Sequence, residues 1–409
     1  MTAAPLKICI FTETYYPVMG GGETQARALA GKLVESGNPV IILTRRSDPV
    51  FAKVEQYGDV TVHRLPPTGS SHGKKWGLLF SAIPALFRLR RDYDVILVSG
   101  FRVVGMTAVL VSKLLGKACI LKADSLGEMS GDFFRAGMAK MKLSTTSVFF
   151  RLFLGWRNRI LKKADAFAAI SSPVAAELRA NRVDPRQIHM IPNSVDPQLF
   201  IPISPEEKPA LRQQLGLPRE GRLVVYTGRL VSYKGLPLLL EVWQKIAPIY
   251  PDATLLLVGE GGLDMHNCEA ELRAFADGHN LQQRVLFTGK VQHVQAYLQA
   301  SDIFVFPTER EAFGISLIEA MACGLAVIAT AAGGIPDILQ DRQNGLMINA
   351  GAADPLAAAL GKLLDDPALA ATLGRAARRT VLEKYSEAMV TGQYLALFRE
   401  LVLSGEQFH

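Results

Sequence analysis

Short, continuously apolar runs alternate with helix-patterned segments from one end of this chain to the other, and that alternation constrains the fold more than any other feature. In the first half LKICIF precedes ETQARALAGKLVESG and DVILVS precedes GMTAVLVSKLLG, with PVIILT and ACILKA completing the series. The second half repeats the habit with RLVVYTG, LPLLLEVWQKIAPIYP, TLLLVG, RVLFTG, VQAYLQAS, IFVFP, GISLIEAMACG and AVIATA. Strands apolar at every position are buried on both faces, which requires parallel sheets covered by helices on each side. The predicted fold class is therefore α/β, doubly wound and Rossmann-like, twice over. A chain of 409 residues exceeds the size at which one core stops growing. Between the two alternating blocks, IPNSVDPQLFIPISPEEKPALRQQLG mixes prolines with polar residues as a linker does, placing the boundary near residues 197–208. The expected domains are 1–198 and 199–386, and no fixed-period repeat relates them.

With 49% hydrophobic and 20% charged residues, the chain has apolar surface enough for two cores and is not a disordered sequence. Cys9, Cys119, Cys268 and Cys323 lie far apart with no C-x-x-C pair, which fits a reduced, cytoplasmic protein without structural zinc. The start, MTAAPLKICIFTETYYP, reads as a first strand and not as a signal peptide. No run reaches the roughly 18 apolar residues of a membrane span, so a soluble protein is expected, or one attached to the inner face of the plasma membrane from the side. Charge is unevenly spread. Residues 1–200 hold 27 Lys and Arg against 15 Asp and Glu, a net +12, whereas residues 201–409 hold 18 against 23, a net −5. The first half suits an acidic surface or lipid.

Two glutamates, Glu311 and Glu319, stand eight positions apart in EREAFGISLIEAMACG, directly after the buried strand IFVFP. With a helix starting near Phe313 or Gly314, Glu311 occupies the loop at the carboxyl end of a parallel strand, where open α/β sheets bind ligands. Glu319 lies more than a turn into the helix. The first helical amides between them suit a phosphate, and Gly314 lets that backbone approach closely. Either glutamate alone reads as an ordinary surface residue; the combination is harder to dismiss. In VVYTGRLVSYKGLPLLLEVW, Arg229 follows a strand and Gly228, and Lys234 precedes a helix. Two cations at one strand end suit a diphosphate, or are two solvated loop cations. In PVMGGGETQARALAGKL, Gly20, Gly21 and Gly22 permit close approach of a ligand to the first helix or simply make a turn. The spacing G-x-G-x-x-G is absent, with Gln25 at the third glycine position, and no P-loop occurs.

These segments resemble retaining glycosyltransferases of family 4, which have the GT-B fold of two facing Rossmann-like domains with an interdomain cleft. The resemblance rests on the Gly20–Gly22 loop, IPNSVD, GRLVSYKG, and the E-x7-E motif Glu311 to Glu319 with AMACGLAVIAT and GGIPDIL after it. It implies that Glu311 bonds hydroxyls of the donor sugar and Glu319 those of the nucleotide ribose. Arg229 and Lys234 would stabilise the departing diphosphate with the amides of Phe313, Gly314 and Ile315, and Gly20, Gly21, Gly22 and Gly228 would belong to the donor site. Such a site needs no metal and no cofactor, since two cations and a helix terminus offset the leaving-group charge. The resemblance also implies front-face attack, in which the donor phosphate takes the acceptor proton, and returns a last helix of roughly residues 387–409 to the first domain.

Family members often carry a histidine where this chain has Asp124, in KADSLGEMSGDF. Two readings stand: Asp124, with Glu128, positions an acceptor hydroxyl in a catalytic role, or Asp124 caps a helix. Ser194 replaces the usual glycine of IPNSVD. The D-x-D of Asp92 to Asp94 precedes a buried strand and reads as a solvated turn, not a metal site.

Residues 133–164 hold eight cations (Arg135, Lys140, Lys142, Arg151, Arg157, Arg159, Lys162, Lys163) and no acid. Phe149, Leu152, Phe153, Trp156 and Ile160 fall at helical spacing among them, and residues 74–91 have a similar character through Trp76, Leu79, Phe80 and Ile83. Either these stripes face the core and the cations form a solvated rim, or the helices lie in an anionic membrane interface. Nucleic acid fits poorly, since no binding motif accompanies the charge.

The reading reached from sequence is a retaining, metal-independent glycosyltransferase. It moves a hexosyl unit from a nucleoside-diphosphate sugar, UDP being preferred only weakly, to a hydroxyl of a saccharide or lipid-linked acceptor in cell-envelope or exopolysaccharide synthesis. The rival readings are a nucleotide-sugar epimerase or phosphorylase of the same shape, a non-catalytic sugar-nucleotide binder, and a dinucleotide oxidoreductase.

Overall fold

The computed structural model describes residues 4–18, 20–69, 76–134 and 148–406. The chain divides into two compact units, Met1–Asn193 with Glu387–His409, and Ser194–Ser386. The division falls a few residues ahead of the expected boundary at 197–208. Ser194 has no left-handed backbone, so a side chain at this position is not strained.

The first unit is built on eight strands, β1 (Ile8–Thr12), β2 (Val40–Arg45), β3 (Val54–Tyr57), β4 (Val60–Leu65), β5 (Val95–Ser99), β6 (Ala118–Ala123), β7 (Ala166–Ala169) and β8 (Ile188–Met190). Their order is β3-β4-β2-β1-β5-β6-β7-β8. Every neighbouring pair is parallel except β3 and β4, which pair antiparallel through Tyr57↔Val60. The all-parallel expectation fails there because Gly58, at φ +59°, closes a two-residue hairpin, and the polar VEQY strand tolerates the sheet edge. β1 is flanked by β2 on one side and β5 on the other. The strand order therefore reverses beside β1, and the loops leaving β1, β5 and β6 open at that reversal.

Alternate residues of the central strands, including Ile8, Ile10, Val95 and Leu97, bury against the Gly21–Glu35 helix and the final Glu387–Glu406 helix. The opposite side of the sheet is covered by Leu78–Arg88, Gly105–Leu115 and Val148–Leu161, packed side by side in that order. A Cβ on Gly105 would stand 2.9 Å from both Leu161 Cδ2 and Phe101 Cβ, so only glycine lets these elements approach so closely.

Val148–Leu161 bears on the reading in which the apolar stripes of the basic helices face the core. Of its sequence stripe only Ile160 is buried; Phe149 is 84% and Trp156 57% exposed, and Leu152 is exposed too. The reading in which this stripe covers the core is overturned. Arg157 is 1% exposed instead of lying in a solvated rim, and its guanidinium donates to the carbonyls of Glu128 at 2.9 Å and Arg102 at 3.3 Å. A helix rotated to place that buried hydrogen-bonding group inward must turn its neighbours at one side outward. Arg135, Lys140, Lys142 and Lys74 lie outside the described residues.

The second unit is one parallel sheet of β9 (Arg222–Thr227), β10 (Ala253–Val258), β11 (Val285–Gly289), β12 (Ile303–Phe306), β13 (Ala326–Thr330) and β14 (Leu346–Ile348), ordered β11-β10-β9-β12-β13-β14. From β9 the chain adds strands to one side and then returns to the other with β12, so the switch point lies between β9 and β12. All four cysteines are buried free thiols. Asp94 accepts the Lys7 amide at 3.0 Å and pairs with Lys117 at 3.5 Å ahead of β5, tying strand starts together. Among the described residues no helix is long and apolar enough to cross a membrane.

Candidate active site

At the β9/β12 switch point two loops meet. The first runs from Gly228 through the single 3-10 turn Ser232–Lys234 to Gly235, which opens the Leu236–Ile246 helix. The second runs from Pro307 to Gly314, which opens the Ile315–Ala322 helix one or two residues later than the sequence suggested. Lys234 Nζ donates to Glu311 Oε2 at 2.6 Å, joining them. The other Glu311 oxygen accepts the Ala312 amide at 3.1 Å. The ammonium also stands 5.1 Å from the centre of the Phe306 ring and 5.9 Å from that of Tyr233.

Backbone contacts make this meeting rigid. A Cβ on Gly235, at φ +71°, would fall 2.0 Å from the Pro307 carbonyl oxygen, so the loops touch main chain to main chain. The Tyr233 carbonyl accepts the Glu309 amide at 2.9 Å. From the following loop, Gly333 at φ +54° lies so close to Glu311 that its Cβ would overlap the Glu311 carbonyl oxygen at 1.6 Å, and the Gly334 amide donates to that oxygen at 3.2 Å. Glu311 is thus held by three loops.

Arg229 leaves the same strand end but does not join Lys234. Its guanidinium pairs with Asp264 and donates to the Tyr233 hydroxyl at 2.7 Å. Asp264 comes from the loop after β10, whose first glycine, Gly259, crosses the Gly228 carbonyl.

Among the described residues Glu319, unlike Glu311, has no cation beside it. Burial alone pushes its carboxyl up to about 8. In its helix Ile315, Ser316 and Glu319 are half-buried, and the remaining residues are buried. The one partly open face of the helix therefore carries Glu319. Phe313 is buried, its ring 5.9 Å from that of Tyr385, so only its main chain faces the loop.

The first unit carries the remaining predicted residues. Gly21 and Gly22 are the first residues of the Gly21–Glu35 helix and Gly20 is its extended N-cap, so none of the three needs a left-handed backbone. Gly22 places that helix start against Asp124, whose Oδ2 would lie 3.5 Å from an added Cβ. Asp124 accepts Ser99 Oγ at 2.6 Å and pairs with the buried Lys122. The helix-capping reading of Asp124 is overturned, because residues 125–130 form turns and not a helix and its carboxylate is engaged by Ser99 and Lys122; Glu128 Oε1 takes the Asp124 and Ser125 amides, at 3.0 and 3.2 Å. Burial is the chief cause raising the Glu128 carboxyl, and burial lowers the Arg157 guanidinium to about 10. Glu177 anchors the same loop by accepting the amides of Gly127, Met129 and Ser130. Tyr394 of the final helix buries its hydroxyl in this unit without a hydrogen-bond partner.

The structure therefore gathers Gly228, Lys234, Glu311, Gly314 and the helix bearing Glu319 in one unit, and Gly22 with Asp124 in the other. Sequence reasoning missed Tyr233, Asp264, Gly333, Ser99, Lys122 and Glu177. Paired glycines in EGGLDMHN after a strand were an available signal for the Asp264 loop; nothing in AAELRA marks Glu177.

Two doubly wound units, one with Lys234 and Glu311 meeting at its switch point, fit a glycosyltransferase of GT-B type. The model described as Glycosyl transferases group 1 matches residues 207–380, and that described as Glycosyltransferase Family 4 matches residues 19–199. Over 278 residues the chain is 31% identical to the GDP-mannose-dependent monoacylated alpha-(1-6)-phosphatidylinositol monomannoside mannosyltransferase of Corynebacterium glutamicum, covering 64% of this chain and 71% of that protein. Over 370 residues it is 27% identical to D-inositol 3-phosphate glycosyltransferase of an Arthrobacter species, covering 88% and 85%. Sucrose-phosphate synthase from Thermosynechococcus elongatus superposes with a TM-score of 0.79 at 26% identity, covering 97% of this chain and all of that one. Anabaena HepE in complex with UDP and glucose shares the fold, with a TM-score of 0.76 at 20% identity over 97% of this chain and all of that one. The chain belongs to the group 1 glycosyl transferases, glycosyltransferase family 4.

Proposed function

We propose that this glycosyltransferase is retaining and metal-independent, and transfers a hexosyl unit from a nucleoside-diphosphate sugar to a hydroxyl acceptor. The observation that carries the reading is the 2.6 Å contact of Lys234 with Glu311, which brings two loops together at the β9/β12 switch point. A carboxylate has about four lone-pair sites. Glu311 uses one on Lys234 and two on the amides of Ala312 and, at 3.5 Å, Phe313, and the remaining one on Oε2 suits a hydroxyl of a donor sugar. Lys234, held beside it, is placed to meet the sugar-linked phosphate, with Arg229 and the first amides of the Ile315–Ala322 helix serving the rest of the diphosphate. Glu319, ionised, accepts two ribose hydroxyls that compensate its burial.

In the transfer, the bond from the anomeric carbon to the phosphate oxygen breaks as the acceptor oxygen bonds to the same face. The acceptor proton passes to the departing phosphate. Lys234, Arg229 and helix amides balance the charge released, so the donor step requires no bound cation and no cofactor. The acceptor belongs to the first unit, where Asp124 orients its hydroxyl. The named relatives act on inositol phosphate and on a phosphatidylinositol glycolipid; by analogy we assign a saccharide or lipid-linked acceptor in envelope or exopolysaccharide synthesis, met on the cytoplasmic side, with a UDP-sugar as first donor to try.

Calorimetric titration with UDP-, GDP- and ADP-sugars in EDTA tests this, beside a Glu311→Ala, Glu319→Ala double variant. Metal-free binding of one donor that the variant loses is expected; equal binding by the variant would sink the assignment. Asp264→Asn gives a smaller, opposite effect. The Arg229 side chain is largely exposed, so its ion pair contributes about 0–1 kcal/mol. Releasing it should tighten UDP binding by no more than about five-fold, measured in the same titration, and weakened binding would contradict a competing role for Asp264.

A further inference from the structure

We propose that the outer surface of the first unit formed by Leu78–Arg88, Gly105–Leu115 and Val148–Leu161 docks on an anionic lipid bilayer. Each helix already buries one apolar side: Leu78, Ala82, Ala85 and Leu86 in the first, Ala108, Val109 and Val111 in the second, Ile160 and Leu161 in the third. Each also presents a second apolar stripe to the outside. Phe80, Ile83 and Phe87 recur at three- and four-residue spacing, as do Phe149, Leu152 and Trp156, and Leu110 and Leu114 stand four apart on the helix between them. Phe80 is 74% and Leu114 76% exposed. A helix apolar on both sides is ordinarily buried on both, and soluble monomers rarely expose so many large apolar side chains on adjacent elements.

Charge decides what covers them. The three helices contain no Asp or Glu. Arg88, Arg90, Arg91, Arg151, Arg159 and Lys163, in or next to them, are exposed; Lys113 is exposed but paired with Asp165, and Asp92 follows Arg91. Basic side chains around an apolar face match a lipid headgroup layer over an acyl boundary. A second copy of this chain fits worse, because a twofold interface would set this predominantly basic surface against itself. Arg157 takes no part, being turned inward onto the Glu128 and Arg102 carbonyls.

The full chain should sediment with vesicles of phosphatidylcholine mixed with phosphatidylglycerol about ten-fold or more better than with phosphatidylcholine alone. Phe149→Ser with Trp156→Ser, and separately Arg151→Glu with Lys163→Glu, should each lose about ten-fold of that binding. All four positions are outside the core, so unchanged melting temperatures will show that the variants fold. Trp243 is fully buried and Trp76 is half-buried and stacked on Phe134, so a blue shift of fluorescence on adding vesicles comes mainly from Trp156, and most of it should be lost in Trp156→Phe while sedimentation persists. Wild-type protein remaining in the supernatant overturns the proposal, as do variants that sediment like wild type. So does a wild-type dimer, seen by light scattering without vesicle binding, that the Phe149→Ser, Trp156→Ser pair converts to monomer. Metal-free donor titration is unaffected by any of these outcomes, so the two proposals fail separately.

Discussion

Lys234→Ala should lower kcat about a hundred- to a thousand-fold, the usual loss when one preorganised positive group is taken from a developing anion. The loss should be larger in kcat than in donor affinity, because the phosphate charge grows as the bond to the sugar breaks. A structural effect must be separated from it. Removing the ammonium leaves Glu311, held by the Ala312 amide and three loops, without its charge partner. Stripping one partner from a fully buried pair costs about 3–5 kcal/mol; this pair keeps slight solvent access, so the lower end is expected. Lys234→Met with Glu311→Gln removes both charges, and its melting temperature should return toward wild type while transfer stays lost. Single-turnover measurements on the three proteins check this. Recovery of transfer in the neutral pair would show that Lys234 acts only through folding.

Glu319→Gln should raise stability at alkaline pH, by on the order of 3 kcal/mol at pH 9. The Glu319 carboxyl lies at about 8 in the folded chain against an ordinary 4.5, and burial is the sole cause. An acid whose folded value is raised binds its proton more tightly folded than unfolded. Its effect on stability is therefore absent below about pH 4.5, and stability is lost as pH climbs toward about 8. Wild type should melt at falling temperature across that window, and the glutamine variant should lose much of the slope. Identical slopes would mean that Glu319 ionises as freely as in water. The same ionisation should link to donor binding: hydroxyls bonding the carboxylate favour its charged form, so binding near pH 7 should release protons. Titrations in buffers of different ionisation enthalpy measure that release, and Glu319→Gln should abolish both it and most of the affinity.

The alternation of apolar runs determined the class of fold by itself, because parallel strands buried on both faces admit few other residues. The same argument placed Glu311 at a strand's carboxyl end, Glu319 on the helix behind it, and Arg229 and Lys234 on another strand's exit. Spacing along the chain is local physics, and these statements are local. Which cation meets which carboxylate is not. Lys234 reaches Glu311 because β9 and β12 are adjacent across the switch point, whereas Arg229 turns to Asp264 from the strand on the other side. Strand order is decided by long-range packing that no single window of sequence encodes. Asp124 shows the same limit: Ser99 is brought to it by the register of β5 on β6, whereas Lys122, two residues back, is a local neighbour.

Helical spacing found the stripe of Phe149, Leu152 and Trp156 but was silent on which way it faces. A periodic stripe defines a face relative to its own helix axis, and rotation about that axis is set by what the helix packs against. Here one buried guanidinium, Arg157, with its carbonyl partners, fixed the rotation and sent the aromatic stripe outward. The sequence alone thus determined the elements, their class and the chemistry they carry, because those follow from side-chain periodicity. Only the tertiary structure decided the pairings and the outward faces, because those depend on which elements become neighbours.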